Sequence, residues 1–170
     1  QTCALPILVR LPPAPPRSEA QQIADRVADY QKLHAAGLTT VRHPGISITE
    51  YRVLQTMHKQ GVLTMRINAL LRPPVGANGV DPSLAQSGIR QNEGDEWLRV
   101  GGIKLAVDGG FEGGLMRAPY ERPWDENGAF RGLQTIDTER FIAAVRELNR
   151  QDWRVATHAV GDAAIDLVLN

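Results

Sequence analysis

Cysteine is almost absent, a single residue, Cys3, in 170. One thiol excludes a disulfide framework and a Cys-rich zinc module. Charge of one sign is also lacking, since 19 basic residues balance 19 acidic ones. There is therefore no electrostatic footprint for nucleic acid or an anionic membrane surface, and the expected partner is a small-molecule substrate. No apolar run reaches the roughly 18 residues needed to cross a bilayer, and no charged segment leads into an apolar one. The chain carries no readable address, and a cytoplasmic location is the favoured expectation.

Three motifs are missing as well. No Gly-x-Gly-x-x-Gly follows the first strand, no Gly-Lys-Ser/Thr closes a glycine-rich loop, and no Ser/His/Asp or Cys/His nucleophile set assembles. Dinucleotide binding, phosphate-loop chemistry and covalent acyl transfer lose their usual signatures. There is no initiator Met, and Asn170 falls inside a helical pattern, so the chain reads as an internal fragment. Gln1-Thr2-Cys3-Ala4-Leu5-Pro6-Ile7 matches the translation of a common sequencing-library adapter, which sets Cys3 aside as non-native. Residues 1–16 are accordingly read as a non-native or extended tail, and residues 17–170 as the folded part.

What is present is alternation. After the extended Leu11-Pro12-Pro13-Ala14-Pro15-Pro16, Ser18 and Gln21 form a capping-box pattern, and Ile23, Val27, Tyr30 and Leu33 recur at helical spacing up to Gly37. Leu38 to Arg42 reads as a strand ended by His43-Pro44-Gly45. A helix follows from Thr49 to Gln60, with Tyr51, Leu54 and Met57 on one face, then a strand within Val62 to Leu71. Arg72-Pro73-Pro74 opens a loop, Asp81-Pro82 offers an N-cap, and Ile103 to Val107 is a third strand. A long loop, Gly109 to about Gln134, leads to a helix carrying Phe141, Val145 and Leu148, a fourth strand at Trp153 to Thr157, and a last helix beginning at Asp162. Strands alternating with helices predict an α/β fold with a parallel sheet and right-handed crossovers.

Chemistry-bearing residues cluster where strands end, as barrel enzymes place them. His158 closes its strand before a Gly-Asp turn, and neutral imidazole there suits a divalent metal. Lys104 shares a strand face with Ala106 and Asp108, because side chains alternate with period two. An inward lysine with a depressed pKa can take up carbon dioxide as a carbamate, and its plain alternative is a lysine snorkelling to solvent. Asp108 can orient substrate or a metal-held water, or can cap its Asp-Gly turn. Glu112 lines the glycine-rich loop 108–114. Asp162 serves as helix N-cap or reaches back to the site, and His43 either faces the same mouth or sits in a plain turn. His34 and His58 read as helix-surface residues.

Lys104, the Asp108-Gly109-Gly110 turn, the Pro119-Tyr120 pair and His158-Ala-Val-Gly-Asp form an ordered set that resembles the amidohydrolase superfamily, in its YtcJ-like branch with N-substituted formamide deformylases. Ala36-Gly37-Leu38-Thr39-Thr40-Val41 and Ile103-Lys104 through Asp108-Gly109 are similar to that branch's strand motifs. The resemblance implies part of a TIM-like (β/α)8 barrel, roughly strands 2 to 5 with their helices. It implies Lys104 as a carboxylated lysine bridging metals, His158 as a metal ligand, zinc as the divalent ion and carbon dioxide as the source of the carboxyl group. A His-x-His before residue 1, a histidine and an aspartate beyond Asn170 and a small flanking β-domain are implied too. Gly-Gly-Phe-Glu-Gly-Gly departs from the small polar residues usual after the Asp-Gly. The activity expected is hydrolysis of non-peptide, amide-type carbon–nitrogen bonds by metal-activated hydroxide, with a homo-oligomer left open for the full-length protein. The competing expectation is a metal-free α/β module that holds a small anionic molecule on loop 108–114.

Overall fold

Two capping boxes set where the first helices begin. Ser18 accepts from the Gln21 N–H while Gln21 accepts from the Ser18 N–H, starting α1 (Glu19–Ala35). Ser47 and Glu50 repeat the arrangement before α2 (Ile48–Lys59), one residue ahead of the expected start. The structure, a computed structural model, describes residues 15–77, 79–121 and 128–170. The adapter-like segment and most of the proline-rich tail lie outside the described residues.

The strands are β1 (Thr40–Ile46), β2 (Arg66–Leu71), β5 (Leu98–Ala106) and β6 (Val155–His158), paired in that order and parallel throughout. A two-residue hairpin, β3 (Val75–Gly76) with β4 (Gly79–Val80), and a short α3 (Ser83–Gln86) lie between β2 and β5. Helices α4 (Thr138–Arg150) and α5 (Asp162–Leu169) flank β6. Tyr51, Leu54 and Met57 from α2 join Ile67, Ala69 and Leu71, Ile103 and Leu105, and Phe141 and Leu148 in a single buried cluster. One cluster behind a sheet whose order follows the chain describes part of a barrel wall. A doubly wound sheet would reverse order at a switch point and carry helices on both faces.

Three local expectations are corrected. His43-Pro44-Gly45 does not end β1, which runs on to Ile46. An edge strand tolerates a proline because one side of its ladder is unpaired, and Gly45, at φ +95°, absorbs the register shift between Pro44 and Ile46. The third long strand begins at Leu98 rather than Ile103. Gly101 and Gly102 lie inside it because the Asn68 side chain crowds the first and the Arg154 backbone the second, leaving neither room for a Cβ. Asp81 is not the N-cap of α3. Pro82 holds that place, and Asp81 accepts from the Ser83 N–H at 2.8 Å.

Parallel crossovers put the carboxyl ends of all four long strands on one rim. Pairing of Lys104 with Ala156 and of Ala106 with His158 shows that these residues share the sheet face turned away from the helices. Leu54 is fully buried in the cluster on the other face, and Leu54→Ala should lower stability by about 2–5 kcal/mol. A urea titration should show a lower midpoint with an unchanged slope.

Candidate functional site

Asp108 stands just beyond the end of β5 with its side chain wholly buried. Its carboxylate accepts the N–H groups of Gly161 at 2.8 Å, Leu115 at 3.0 Å and Val160 at 3.1 Å. These donors belong to the two loops that follow β5 and β6, so one buried charge ties both rim loops to the sheet. The charge is met chiefly by these N–H dipoles, as a buried carboxylate requires where no Lys or Arg reaches it among the described residues. Asp108 therefore organises the rim and has no surface with which to touch a ligand.

His158 lies beside it, with Nε2 3.9 Å from Asp108 Oδ1 and 3.0 Å from the Gly109 carbonyl oxygen. A carbonyl can only accept, so Nε2 carries the proton and Nδ1 keeps its lone pair. The ring is 39% exposed, and Nδ1 makes no hydrogen bond among the described residues. An imidazole fixed through one nitrogen and open at the other has the form of a metal ligand with its orienting partner.

Lys104 occupies the same face of the neighbouring strand, two residue pairs back from His158. Strand spacing and rise put the two Cα atoms about 8 Å apart, close enough for both side chains to reach one ion. Lys104 has no acidic partner among the described residues. Burial, and after it the positive charge of Arg72, holds its pKa below the ordinary lysine value. An amine without a counter-ion beside a second cation is unfavourable as ammonium and suits conversion to an anionic carbamate. The donor chemistry thus fits a divalent ion held by His158 Nδ1 and a carboxylated Lys104. No three His, Cys, Asp or Glu side chains converge among the described residues.

Arg72 is the residue that sequence reasoning passed over, as the first of a loop. It directly follows β2, and its stem lies beside that of Lys104 against Gly45. A basic residue at the carboxyl end of a barrel strand, ahead of Pro73-Pro74, was the available signal.

The other candidates separate from this pair. His43 lies within β1 and its ring turns to the helix layer, with Nε2 3.5 Å from Arg26 and Nδ1 buried without a partner. It does not face the mouth, because β1 continues past it. Burial first, and then Arg26, keeps its pKa below the usual histidine value. Asp162 is the first residue of α5, not its N-cap. Gly161 holds that position, and the Leu115 carbonyl receives the N–H groups of Ala163 and Ala164. Asp162 accepts from the N–H groups of Ala163 and of Arg117, both at 2.8 Å, and Arg117 also pairs with Asp166. Glu112 is exposed on the loop next to Phe111, itself 92% exposed. His34 bonds Leu38 and Thr64, and His58 pairs with Asp95 at 2.8 Å.

Loop 108–114 holds part of its shape through its own hydrogen bonds. Gly109 donates to Leu133, Gly113 donates to Gly110, and the Leu115 N–H that follows donates to Asp108. Tyr120 adds a hydroxyl bond to the Gly114 carbonyl and stacks on Phe130. The Gly110, Phe111, Glu112 and Gly114 N–H groups meet no acceptor among the described residues, so only part of the loop's donor set is used by its own shape.

A parallel βα segment that carries a lysine and a histidine on one face near the carboxyl rim has the layout of part of a barrel wall. The chain matches the amidohydrolase family over residues 2–170, and it belongs to that family. It is 33% identical over 75 residues to Protein LONG AFTER FAR-RED 3 of Arabidopsis thaliana, covering 44% of this chain and 12% of that protein. It is 30% identical over 76 residues to the putative amidohydrolase YtcJ of Bacillus subtilis strain 168, covering 44% of this chain and 14% of that one. Its fold is similar to crystal structures of uncharacterized metal-dependent hydrolases. The one from Pyrococcus horikoshii OT3 has a TM-score of 0.74 and 23% identity, over 90% of this chain and 30% of that one. The one from Pyrococcus furiosus has a TM-score of 0.74 and 21% identity, over 90% and 31%. The chain spans less than a third of the length of the proteins it matches. Among the described residues no helix is long and apolar enough to cross a membrane.

Asp108→Asn would point an NH2 group at N–H donors and should cost about 2–4 kcal/mol, read by denaturation together with faster amide exchange at Val160 and Gly161. For His43, folding favours the neutral ring. Its contribution to stability is fully present above the ordinary pKa of 6.5 and is lost as pH falls through its lower folded value. His43→Gln should flatten the decline of the urea midpoint between about pH 7 and about pH 5.

Proposed function

We propose that this chain supplies part of the active site of a metal-dependent hydrolase acting on amide-type carbon–nitrogen bonds of a small molecule. The observation that carries the reading is the placement of Lys104 and His158 on one sheet face, the first without an acidic partner among the described residues and the second held through Nε2 with Nδ1 open. Membership of the amidohydrolase family supports hydrolysis, and the metal-dependent hydrolases of like fold support a divalent ion. Zinc is the first candidate, since an imidazole nitrogen with oxygen donors suits it. Such an ion supplies Lewis acidity, polarising the scissile carbonyl and making water acidic enough to react at neutral pH.

The protein's own groups do the rest. The neutral Lys104 amine attacks the carbon of carbon dioxide, a nitrogen–carbon bond forms as one carbon–oxygen π bond opens, and the displaced N–H proton leaves to water. The resulting carbamate offers two oxygens where the ammonium would repel a cation, so ion binding and carboxylation favour each other. His158 is aimed by the Gly109 carbonyl, and Asp108 fixes the loops on either side. Further donors come from outside these 170 residues, in keeping with the small share of its relatives that the chain spans. A cytoplasmic location completes the proposal.

In the full-length protein Lys104→Ala should lose both bound metal and turnover, and small carboxylic acids should partly restore both. Lys104→Arg should not, because a guanidinium stays charged. The 170-residue chain alone should show no metal-dependent amide hydrolysis. A full-length Lys104→Ala protein that binds metal and turns over like its parent would make the lysine structural and end the bridging role.

A further inference from the structure

The rim holds a second feature that the metal reading leaves unused. Arg72 leaves β2 on a fixed base, since its N–H donates to the Ile46 carbonyl at 2.8 Å and Pro73-Pro74 restrict the backbone beyond it. The missing side chain of Gly45 makes room for its stem. A Cβ there would stand 3.4 Å from Arg72 Cδ and 3.6 Å from Lys104 Cγ, so the two basic side chains run side by side over one glycine. They line a cavity of about 280 Å³ whose other walls include Pro74, Val75, Ala106 and Thr135.

No acid among the described residues answers the Arg72 guanidinium. Other arginines, Arg42, Arg140 and Arg154 among them, also lack an acid among the described residues, so what sets Arg72 apart is its place beside Lys104 on the cavity wall. If Lys104 becomes a carbamate and its charge is taken up by metal, Arg72 is the cation left facing the cavity. Its planar fork matches a carboxylate through two parallel hydrogen bonds, and the Lys104 and Thr135 side chains make the cavity around it partly polar. The volume suits a small ligand and not a polymer.

We propose that Arg72 is a specificity-determining residue that binds a carboxylate carried by the substrate, so that the amide cleaved at the Lys104–His158 rim belongs to a small carboxylic acid. This rests on the proposed role of that rim as the reacting centre. Arg72 grips the anionic end, and the amide is held toward Lys104 and His158.

The test uses the metal-free, isotope-labelled 170-residue chain, titrated with N-acetylglycine, with its neutral amide N-acetylglycinamide and with inorganic phosphate. Backbone amide shifts are followed at Gly45, Arg72, Val75 and Thr135. The carboxylate should move these signals at concentrations where the neutral amide does not. Arg72→Gln, which removes an exposed side chain and no core contact, should weaken that binding about tenfold or more, as loss of a charge-assisted hydrogen bond does. Arg72→Lys should keep part of it. Equal shifts with the neutral amide, unchanged binding in Arg72→Gln, or tighter binding of phosphate than of the carboxylate would each overturn the assignment. No metal enters this titration, so its failure leaves the roles of Lys104 and His158 standing. Unimpaired metal binding by full-length Lys104→Ala would remove those roles without touching the anion result.

Discussion

The rim depends on one buried carboxylate. Asp108 collects N–H groups from Leu115, Val160 and Gly161, and through them the loop after β5 and the turn into α5 are held in one arrangement. Such a charge is tolerable where no Lys or Arg reaches it among the described residues because three donors meet it. Its neighbours inherit the order. Gly109, next in the chain, presents the carbonyl that fixes the His158 tautomer, and Leu115 turns its carbonyl to the start of α5. Gly161 must lack a side chain, because a Cβ would overlap the Leu115 carbonyl.

Against this ordered rim stand two unsatisfied cations. Lys104 and Arg72 lie together without an acid among the described residues, and the charge of Arg72 disfavours the ammonium form of Lys104. Stability alone would favour an opposite charge beside them or an apolar replacement. Sites that depart from the stable choice while their surroundings are fully satisfied are where binding and chemistry are concentrated. The same contrast separates His43 from the rim, since that half-buried ring lies beside Arg26 of α1.

The family match and the fold agree on the class of protein but differ in reach. Sequence identity with the curated relatives runs over 75 or 76 residues, whereas fold similarity extends over 90% of the chain. A barrel wall is conserved in shape by its strand order and core packing, which many apolar sequences satisfy. Function has to be argued from the few side chains on the rim.

The sequence by itself determined the alternation of strand and helix, the capping at Ser18 and the apolar faces of α2 and α4, because those depend on local bonding and periodicity. It also singled out Lys104 and His158, since a lysine within an apolar strand and a histidine at a strand's end are visible without coordinates. Only the tertiary structure decided that β1 passes through His43-Pro44-Gly45, because an edge position makes a proline tolerable there. It alone showed that Asp108 is consumed by backbone donors and that Leu115, not Asp162, caps α5, since partners 7 to 53 residues away in the chain leave no local signal. Arg72 belongs with these. Its place beside Lys104 follows from parallel strands brought into register, a long-range pairing that no window of sequence contains.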